Sequence, residues 1–417
     1  MLFIYRFLIN LIFILSPLII ILRLIKKKED IQRFKEKFCF FTKKRLKGNL
    51  IWFHGASVGE IKSIIPILEK LEKNINVNQI LITSNTLSSS KIVQKLNFKK
   101  ITHQFFPIDT NYLSNVFLNY WSPSLAFFVD SEIWPNTFSN LKRKNIPVNL
   151  INGRITRKTF KRWNLFPNFS KKLFSIFNLC LSSSIESKKF LKKLGVKNIK
   201  FIGNLKFTQS NEIGIKQKSK IQKFFSSKKM WCASSTHETE EYLCGKVHTE
   251  LKKKHKDLLT VIIPRHVERL HAIKTQLNKQ NLKTYTFQSN KKISKDTDVF
   301  IVDSYGKTGF FYNYCKNVFL GGSIINHGGQ NPLEAARYGC NILHGPNVHN
   351  FNEIYKFLKK NKLSKVINNH KEMVHFLDAL LSKKTNTKMI QKKINKIGQK
   401  ILKISYQEIN LLIKNEI

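Results

Sequence analysis

The stretch "IWFHGASVGE", Ile51 to Glu60, decides the fold of the first half of the chain. The apolar run that ends at Phe53 predicts a buried strand, Gly55 and Gly59 bracket a turn, and "IKSIIPILEKLEK" follows with helical spacing of its apolar residues. Strand, glycine turn and helix together are typical of a parallel α/β sheet. A phosphate-binding loop of this shape carries Lys and Ser or Thr at the helix start. Here that position holds a carboxylate.

The same alternation of strands and helices continues along the chain. Predicted strands in the first half are "LIWFHG", "QILITS", "LAFFVD", "PVNLIN", "LCLSSS" and "IKFIG". After a lysine-rich stretch at about 208–229, the pattern restarts with "MWCASS", "LTVIIP", "KTYTF", "VFIVD", "VFLGG" and "NILHG". Two such series with a seam near 205–228 predict two Rossmann-like, doubly wound domains that face each other across a cleft.

Four segments follow from this pattern. We expect an N-terminal membrane segment at 1–28, a first Rossmann-like domain at 29–207 and a second at 208–390. The tail, "MIQKKINKIGQKILKISYQEINLLIKN", predicts one long amphipathic helix, which we place at 391–417. At 417 residues, the chain is long enough for two domains that each have a core of their own.

The N-terminus predicts attachment to a membrane. An apolar run extends from Phe7 to Leu22 and is followed by lysines at 26–28. A signal peptide would begin with its positive charge and end at small residues. At about 16 to 20 residues the run is marginal for a full span. We interpret it as an anchor with its basic flank on the cytoplasmic side; the alternative is an interfacial helix that lies on the membrane.

Charge and cysteine content restrict the classes of partner and compartment. The chain has 73 Lys and Arg against 26 Asp and Glu, a formal net charge of +47. Such an excess indicates either an anionic partner (nucleic acid, acidic lipid or a phosphorylated substrate) or a compositional drift towards Lys, Asn, Ile and Phe along the whole chain. Because the basic residues form no nucleic-acid-binding motif, we expect no nucleic-acid partner. Six cysteines without a C-x-x-C pair fit a reduced compartment without structural zinc.

The loops that follow strands are the places to look for chemistry, because ligands of open parallel sheets bind there. The richest is "GGSIINHGGQNPLEAARYG". Asn331, Pro332 and Glu334 have the spacing of N-cap, N1 and N3 of a helix that Gly339 ends. Glu334 therefore has a structural role in a capping box, a role in accepting hydrogen bonds from ribose hydroxyls, or both.

Two further loops of the second domain carry polar side chains. In "ASSTHETEEYL", Ser235 and Glu238 have capping-box spacing, and His237 is a candidate to line the cleft. "IIPRHVERL" places Arg265 and His266 directly after a strand. A forked guanidinium in that position suits a phosphate or a carboxylate.

The first domain contributes acidic and basic candidates. "VDSEIWPN" puts Asp130 and Glu132 at a strand end, and "GNLKF" places Lys206 near the seam. "NGRITRKTFKRW" forms either a solvated face or a site for anionic head groups; its basic residues are Arg154, Arg157, Lys158, Lys161 and Arg162. No histidine spacing indicates a metal, and the D-x-D at 296–298 precedes a strand, so we expect no metal cofactor.

Nine motifs, taken in chain order, resemble the 3-deoxy-D-manno-octulosonic acid (Kdo) transferases. They are "HGASVGE", "DSEIWPN", "NGRITRKTFKRW", "GNLKF", "SSTHETEE", "PRHVER", "DSYG", "FLGGSIINHGGQNPLEAARYG" and "HGPNVHNF". The resemblance extends from the anchor to about residue 355. It implies a GT-B fold and transfer of Kdo from CMP-Kdo to a lipid A precursor (lipid IVA) in lipopolysaccharide synthesis, at the inner membrane, with the catalytic domains on its cytoplasmic side.

The resemblance also implies roles for individual residues. Glu60 matches the family's proton acceptor, and Asp130 and Lys206 match positions that stabilise the transition state. The CMP-binding segments correspond to Pro264, Arg265, Tyr305, Gly306, Lys307, Asn331, Pro332, Leu333 and Glu334. Two of these depart from the family pattern: Asp130 replaces a Glu one methylene longer, and Lys307 replaces the Glu of an M-G-E turn.

The chemistry that these residues suit is an inverting transfer without a general acid, since CMP is a good leaving group. The helix N-terminus is expected to favour the ionised form of Glu60 and so to lower its basicity. Two alternatives remain at this point. One is another GT-B transferase that uses a UDP-sugar on a lipid acceptor, and the other is a membrane-tethered binder of anionic polymers.

Overall fold

The computed structural model describes residues 1–209, 219–289, 292–383 and 385–416. The chain divides into two compact units, one of Met1–Gln209 with Ile397–Ile417 and the other of Ser210–Lys396. The seam expected near 205–228 falls in part on residues 210–218, which lie outside the described residues. The C-terminal helix belongs to both units.

The first unit contains a seven-stranded parallel sheet in the order β3-β2-β1-β4-β5-β6-β7. Its strands are β1 (Leu50–His54), β2 (Gln79–Ser84), β3 (Ile101–Phe105), β4 (Leu125–Val129), β5 (Val148–Gly153), β6 (Phe177–Ser182) and β7 (Ile199–Phe201). Its helices are α1 (Leu2–Ile25), α2 (Val58–Leu71), α3 (Leu87–Gln94), α4 (Asn111–Trp121), α5 (Pro135–Arg143), α6 (Arg157–Asn164), α7 (Pro167–Phe174) and α8 (Ile185–Leu194), with short 3₁₀ helices at Phe34–Phe38 and Leu205–Thr208.

The second unit repeats this architecture in the order β10-β11-β9-β8-β12-β13-β14, again all parallel. Its strands are β8 (Lys229–Thr236), β9 (Leu258–Pro264), β10 (Thr284–Thr286), β11 (Val299–Ile301), β12 (Asn317–Leu320), β13 (Asn341–His344) and β14 (Ser364–Val366). Its helices are α9 (Ser219–Ser226), α10 (Glu240–Lys252), α11 (Leu270–Asn278), α12 (Thr308–Tyr314), α13 (Leu333–Arg337), α14 (Asn352–Lys360) and α15 (His370–Leu381), with 3₁₀ helices at Val267–Arg269 and His349–Phe351. The last helix, α16 (Thr387–Glu416), confirms the helical tail.

Burial explains why the central strands are continuous apolar runs. β1 and β4 are buried at every residue because helices cover both faces of the sheet. Trp52 of β1 packs against Phe117 and Phe128 at ring-centroid distances of 5.0 and 5.2 Å. In each unit the strand order reverses beside the first strand, between β1 and β4 and between β8 and β12. Ligands of doubly wound sheets bind at such points.

The N-terminal helix α1 is long and apolar enough to cross a membrane, and no other helix among the described residues meets that test. One narrow stripe of α1 packs on the first unit, and most of its surface is exposed. Length and apolar composition alone do not distinguish a spanning helix from one that lies on a membrane.

Candidate active site

Glu60 lies at the start of α2, directly beyond the carboxyl end of β1. Its Oε2 accepts hydrogen bonds from the backbone N–H of Ala56 at 2.7 Å and of Ser57 at 3.4 Å. The Ser57 hydroxyl donates to Glu60 Oε1 at 2.8 Å and accepts from the Glu60 N–H at 3.4 Å. This is a complete capping box, which holds the carboxylate at the switch point of the sheet.

The expected lowering of the Glu60 basicity is wrong. The pKa of the Glu60 carboxyl is raised to about 7 by burial and by the negative charges of Glu132 and Asp130, against the hydrogen bonds from Ser57 and Ala56. Burial and two neighbouring carboxylates therefore outweigh the helix N-terminus. A carboxylate with a pKa near 7 is better suited to proton transfer at neutral pH than an ordinary glutamate.

Glu132, a strand-end candidate to which the sequence assigned no role, is an acidic neighbour of Glu60. Trp134 Nε1 donates to Glu132 Oε2 at 3.1 Å, and Nε2 of the buried His54 lies 3.4 Å from the same oxygen. The other ring nitrogen of His54 lies 2.9 Å from Thr83 Oγ1. Burial lowers the pKa of His54, so its ring is neutral at pH 7. The Glu of the motif "DSEIWPN" was the signal for this position.

Asp130 lies just past the end of β4 in a left-handed backbone conformation, with φ of 62°. Asp is one of the few residues that tolerates this region. Its side chain is buried, and Oδ2 lies 3.9 Å from Lys206 Nζ. Burial raises the pKa of Asp130, and the charges of Lys206 and Arg154 oppose the rise. The shorter side chain thus still reaches within ion-pair distance of the lysine.

Lys206 is brought to Asp130 by a second loop at the same sheet edge. Asn152, at the end of β5, accepts the backbone N–H of Leu205 at 2.9 Å, and Asn204 accepts that of Lys206 at 2.9 Å. These two side chains shape the 3₁₀ turn that carries the lysine. The structure therefore places Glu60, Asp130 and Lys206 at the carboxyl ends of the strands of the first sheet.

The second unit has a cavity of about 270 Å³ beyond the ends of its central strands. Seven of the nine predicted CMP-binding residues line it: Pro264, Arg265, Tyr305, Gly306, Lys307, Asn331 and Glu334. The other two, Pro332 and Leu333, are buried behind the cavity wall and are not among its lining residues. The hydroxyl of Tyr305, one of the lining residues, donates to Glu268 at 3.1 Å.

The helix after the glycine-rich loop begins later than its spacing predicts. Its first residue is Leu333 and its N-cap is Pro332, and the Asn331 side chain accepts the N–H of Leu333 at 3.1 Å. Glu334 forms no capping box; its Oε1 accepts from the Thr308 hydroxyl at 2.7 Å. The capping interpretation of Glu334 is wrong, and its carboxylate faces the cavity instead. Gly339, with φ of 72°, ends the helix as expected.

The expected capping by Ser235 and Glu238 is also wrong, because α10 begins at Glu240 and Glu238 is exposed. The buried Glu240 carboxylate instead accepts backbone N–H groups of the glycine-rich loop, from Gly322 at 2.7 Å and from Ser323 and Ile324 at 3.2 Å each. A side chain at Gly321 would lie 2.5 Å from the Ser235 carbonyl oxygen. We call these three hydrogen bonds to the Glu240 carboxylate the Glu240 clamp. The acidic run "ETEE" was its only sign in the sequence.

His237 is buried beside this loop, with ring-centroid distances of 4.2 Å to His327 and 5.8 Å to His266. Burial and the surrounding cationic groups lower the pKa of His237 to about 4, so it is neutral at pH 7. No group of three or more His, Cys, Asp or Glu side chains within the described part of the chain is arranged to hold a metal ion.

Comparisons with known proteins agree with this description of the two units. The family model of 3-deoxy-D-manno-octulosonic-acid transferase (kdotransferase) matches residues 32–209. The 3-deoxy-D-manno-octulosonic acid transferase of Rickettsia bellii is 32% identical over 374 residues, which cover 88% of this chain and 89% of the relative. The enzyme of the same description from Haemophilus influenzae is 28% identical, with 84% of each chain covered.

Solved structures show the fold. A UDP-GlcNAc 2-epimerase from Neisseria meningitidis superposes with a TM-score of 0.59 at 13% identity and covers 87% of this chain and 99% of its own. A glycosyltransferase from Rickettsia africae superposes with a TM-score of 0.56 at 12% identity, covering 89% and 99%. These neighbours confirm the expected GT-B architecture. With the identity to the Rickettsia bellii enzyme over most of both chains, the protein is a glycosyltransferase that belongs to the 3-deoxy-D-manno-octulosonic acid transferase family.

Proposed function

We propose that this enzyme transfers Kdo from CMP-Kdo to a lipid A precursor such as lipid IVA, in lipopolysaccharide synthesis, with inversion at the transferred carbon. The observation that carries the mechanism is the Glu60 carboxylate, whose pKa of about 7 and place beyond β1 suit a general base. Family membership supports the choice of sugar and removes the non-enzymatic alternative.

The cavity of the second unit is the proposed site for the CMP part of the donor. Arg265 is exposed at its wall and offers a forked donor for the phosphate, and Lys307 adds a second positive charge. The Glu334 carboxylate suits the ribose hydroxyls as an acceptor of hydrogen bonds. The Lys307 charge therefore assists phosphate binding, where the family's usual Glu could not.

The proposed reaction needs no metal and no general acid. An acceptor hydroxyl oxygen forms a bond to the anomeric carbon of Kdo from the face opposite the phosphate. The bond from that carbon to the phosphate oxygen breaks, and its electron pair leaves with CMP. Positive charge on the sugar and negative charge on the leaving group develop together, and we assign their stabilisation to Asp130 and Lys206, whose charged groups lie 3.9 Å apart. Glu60 takes the proton of the attacking hydroxyl.

Membrane attachment completes the proposal. The acceptor carries acyl chains, and α1 offers an apolar surface with lysines at 26–28 beside it. We propose that the protein works at the cytoplasmic face of the inner membrane, where a basic flank favours that side.

The direct test is incubation of the purified protein with CMP-Kdo and a tetra-acylated lipid A precursor, with products read by mass. We expect release of CMP and a product heavier by one or more Kdo residues. The Arg265→Ala variant tests the proposed phosphate contact. It should require a higher CMP-Kdo concentration for the same rate. Transfer from a UDP-sugar in place of CMP-Kdo would support the other GT-B alternative and contradict this proposal.

The pH dependence of transfer should report the environment of Glu60. Because the base acts only when unprotonated, the rate at saturating substrates should rise with pH through about 7. In the Glu132→Gln variant, a neighbouring negative charge is removed, so the midpoint of the rise should move to lower pH. Gln keeps an oxygen that can accept from Trp134. An unchanged midpoint in this variant would contradict the coupling of the two carboxylates.

A further inference from the structure

We propose that α1 lies in the plane of the cytoplasmic leaflet, docked lengthwise on the first unit, and does not cross the bilayer. This inference rests on the proposed membrane location and concerns the mode of attachment. The apolar side of α1 that the protein leaves exposed is then covered by the lipid leaflet itself.

The N-terminal end of α1 is held by polar side chains of the first unit. The Tyr5 hydroxyl donates to Asp109 Oδ2 at 2.7 Å. Arg6 donates through Nε to Asn136 Oδ1 at 3.0 Å and through Nη2 to Asn111 Oδ1 at 3.2 Å. Asp109 is buried and also accepts from the first turn of α5. Separation of α1 from this site would therefore leave a buried carboxyl without one of its donors.

The rest of the helix is held along the same line. The Phe13 ring lies 6.0 Å from that of Phe38, Ser16 and Ile20 are buried, and Arg23 Nε lies 2.6 Å from Oε1 of the buried Glu29. The shielded positions repeat every three or four residues, as one face of a helix does. They are Leu2, Tyr5, Arg6, Ile9, Phe13, Ser16, Ile20, Arg23 and Leu24.

Length decides between the two modes of attachment. Twenty-four residues make a helix of about 36 Å, enough to cross a hydrocarbon core of about 30 Å. A spanning α1 would carry Tyr5 and Arg6 to the far side of the bilayer, although their partners belong to the domain beside the basic flank. Both ends can keep their contacts with one folded unit only if the helix stays on one side of the membrane.

The exposed side of α1 has the chemistry of a membrane contact. Thirteen large apolar side chains between Phe3 and Ile25 are exposed, far more than the surface of a soluble domain normally shows together. The three lysines at 26–28 are exposed at the end of the helix and suit anionic head groups. Such a helix sits with its apolar side about 5–10 Å deep in the boundary between head groups and acyl chains.

The first test is the side of the membrane on which the N-terminus lies. All six native cysteines are buried, so a cysteine in a short polar extension before Met1 can be labelled selectively with a membrane-impermeant maleimide. We expect labelling in inverted inner-membrane vesicles and none in intact spheroplasts. The Ile75→Cys variant, 90% exposed on the first unit, marks the cytoplasmic side. Labelling of the extension from the spheroplast exterior would show a spanning helix and overturn the proposal.

The second test addresses the occupant. The triple variant Leu11→Gln, Leu15→Gln, Leu18→Gln changes exposed side chains that do not belong to the docked face. Binding to vesicles of phosphatidylethanolamine and phosphatidylglycerol should fall by at least about tenfold. The reason is that the favourable transfer of three leucine side chains from water into the leaflet is lost. The Ile185→Gln variant, at an exposed site on α8, should bind as the unchanged protein does.

Two results would overturn the choice of occupant. The first is vesicle binding by the triple variant that equals that of the protein without substitutions. The second is a protein without substitutions that stays in solution as a dimer in the presence of vesicles, because a second copy would then cover the apolar side of α1. Neither readout depends on turnover, so a failure of the proposed Kdo transfer would be seen separately, in the mass assay.

Discussion

In the Glu60→Gln variant we expect Kdo transfer to fall by roughly 10²- to 10⁴-fold, the usual contribution of a general base. Gln can still accept the Ala56 N–H, and it is an accepted residue at the third position of a capping box. The start of α2 should therefore survive, and the thermal midpoint of unfolding should change little. The measurements are the transfer rate at saturating substrates and a thermal unfolding curve.

The matched control is Glu69→Gln, which changes an exposed carboxylate on the same helix. It should transfer Kdo normally. CMP affinity should also be the same in both variants, because the proposed CMP cavity is formed by residues of the second unit. Near-normal turnover by Glu60→Gln would remove Glu60 from the role of base and leave it with its capping function alone.

The Lys206→Met variant should lose about 10²- to 10³-fold in transfer rate, comparable to the loss of one preorganised donor to a developing charge. The Asn204 and Asn152 side chains accept backbone N–H groups of the turn that carries the lysine, so the backbone at this position is held by the fold. The positive charge of Lys206 lowers the pKa of Asp130, against the effect of burial. Without that charge, the pKa of Asp130 should rise further. Steady-state rates with CMP-Kdo give the size of the effect.

Two comparisons separate the charge of Lys206 from its packing. Lys206→Arg keeps the positive charge and should retain more activity than the Met variant, whereas Lys197→Met changes an exposed lysine of the same unit and should have no effect. If Asp130 and Lys206 act as a pair, the double variant Asp130→Asn, Lys206→Met should lose less than the product of the two single losses. Simple multiplication of the losses would argue against the pair.

The fold was predictable from the sequence where strands are central and buried. The predicted strands lie at β1, β2, β4 to β7 and β8 to β13. They include the central strands of both sheets, which show as apolar runs because both faces are covered, and the edge strands β7 and β10. The two that the prediction missed, β3 with "ITHQF" and β14 with "SKV", are the other edge strands; both are partly solvated, and neither sequence is a continuous apolar run.

The candidate site was predictable in its positions and less so in its electrostatics. A carboxylate after a strand can be seen in the sequence, but the sign of its pKa shift depends on burial and on charges from distant loops, such as Glu132 beside Glu60. The Glu240 clamp depends on a contact across 82 positions of the chain. Local spacing gave wrong capping roles to Glu334 and Ser235: Glu334 accepts from Thr308 instead, and α10 begins only at Glu240.

The docking of Tyr5 and Arg6 has a consequence for kinetics. Asp109, which accepts from Tyr5, also accepts the N–H groups of Asn136 and Thr137 just after the loop that carries Glu132. An enzyme attached to one leaflet in the proposed way would meet the proposed lipid acceptor by lateral diffusion. Its rate then follows the mole fraction of acceptor in the surface, so added inert lipid should slow transfer even when the bulk acceptor concentration is held constant.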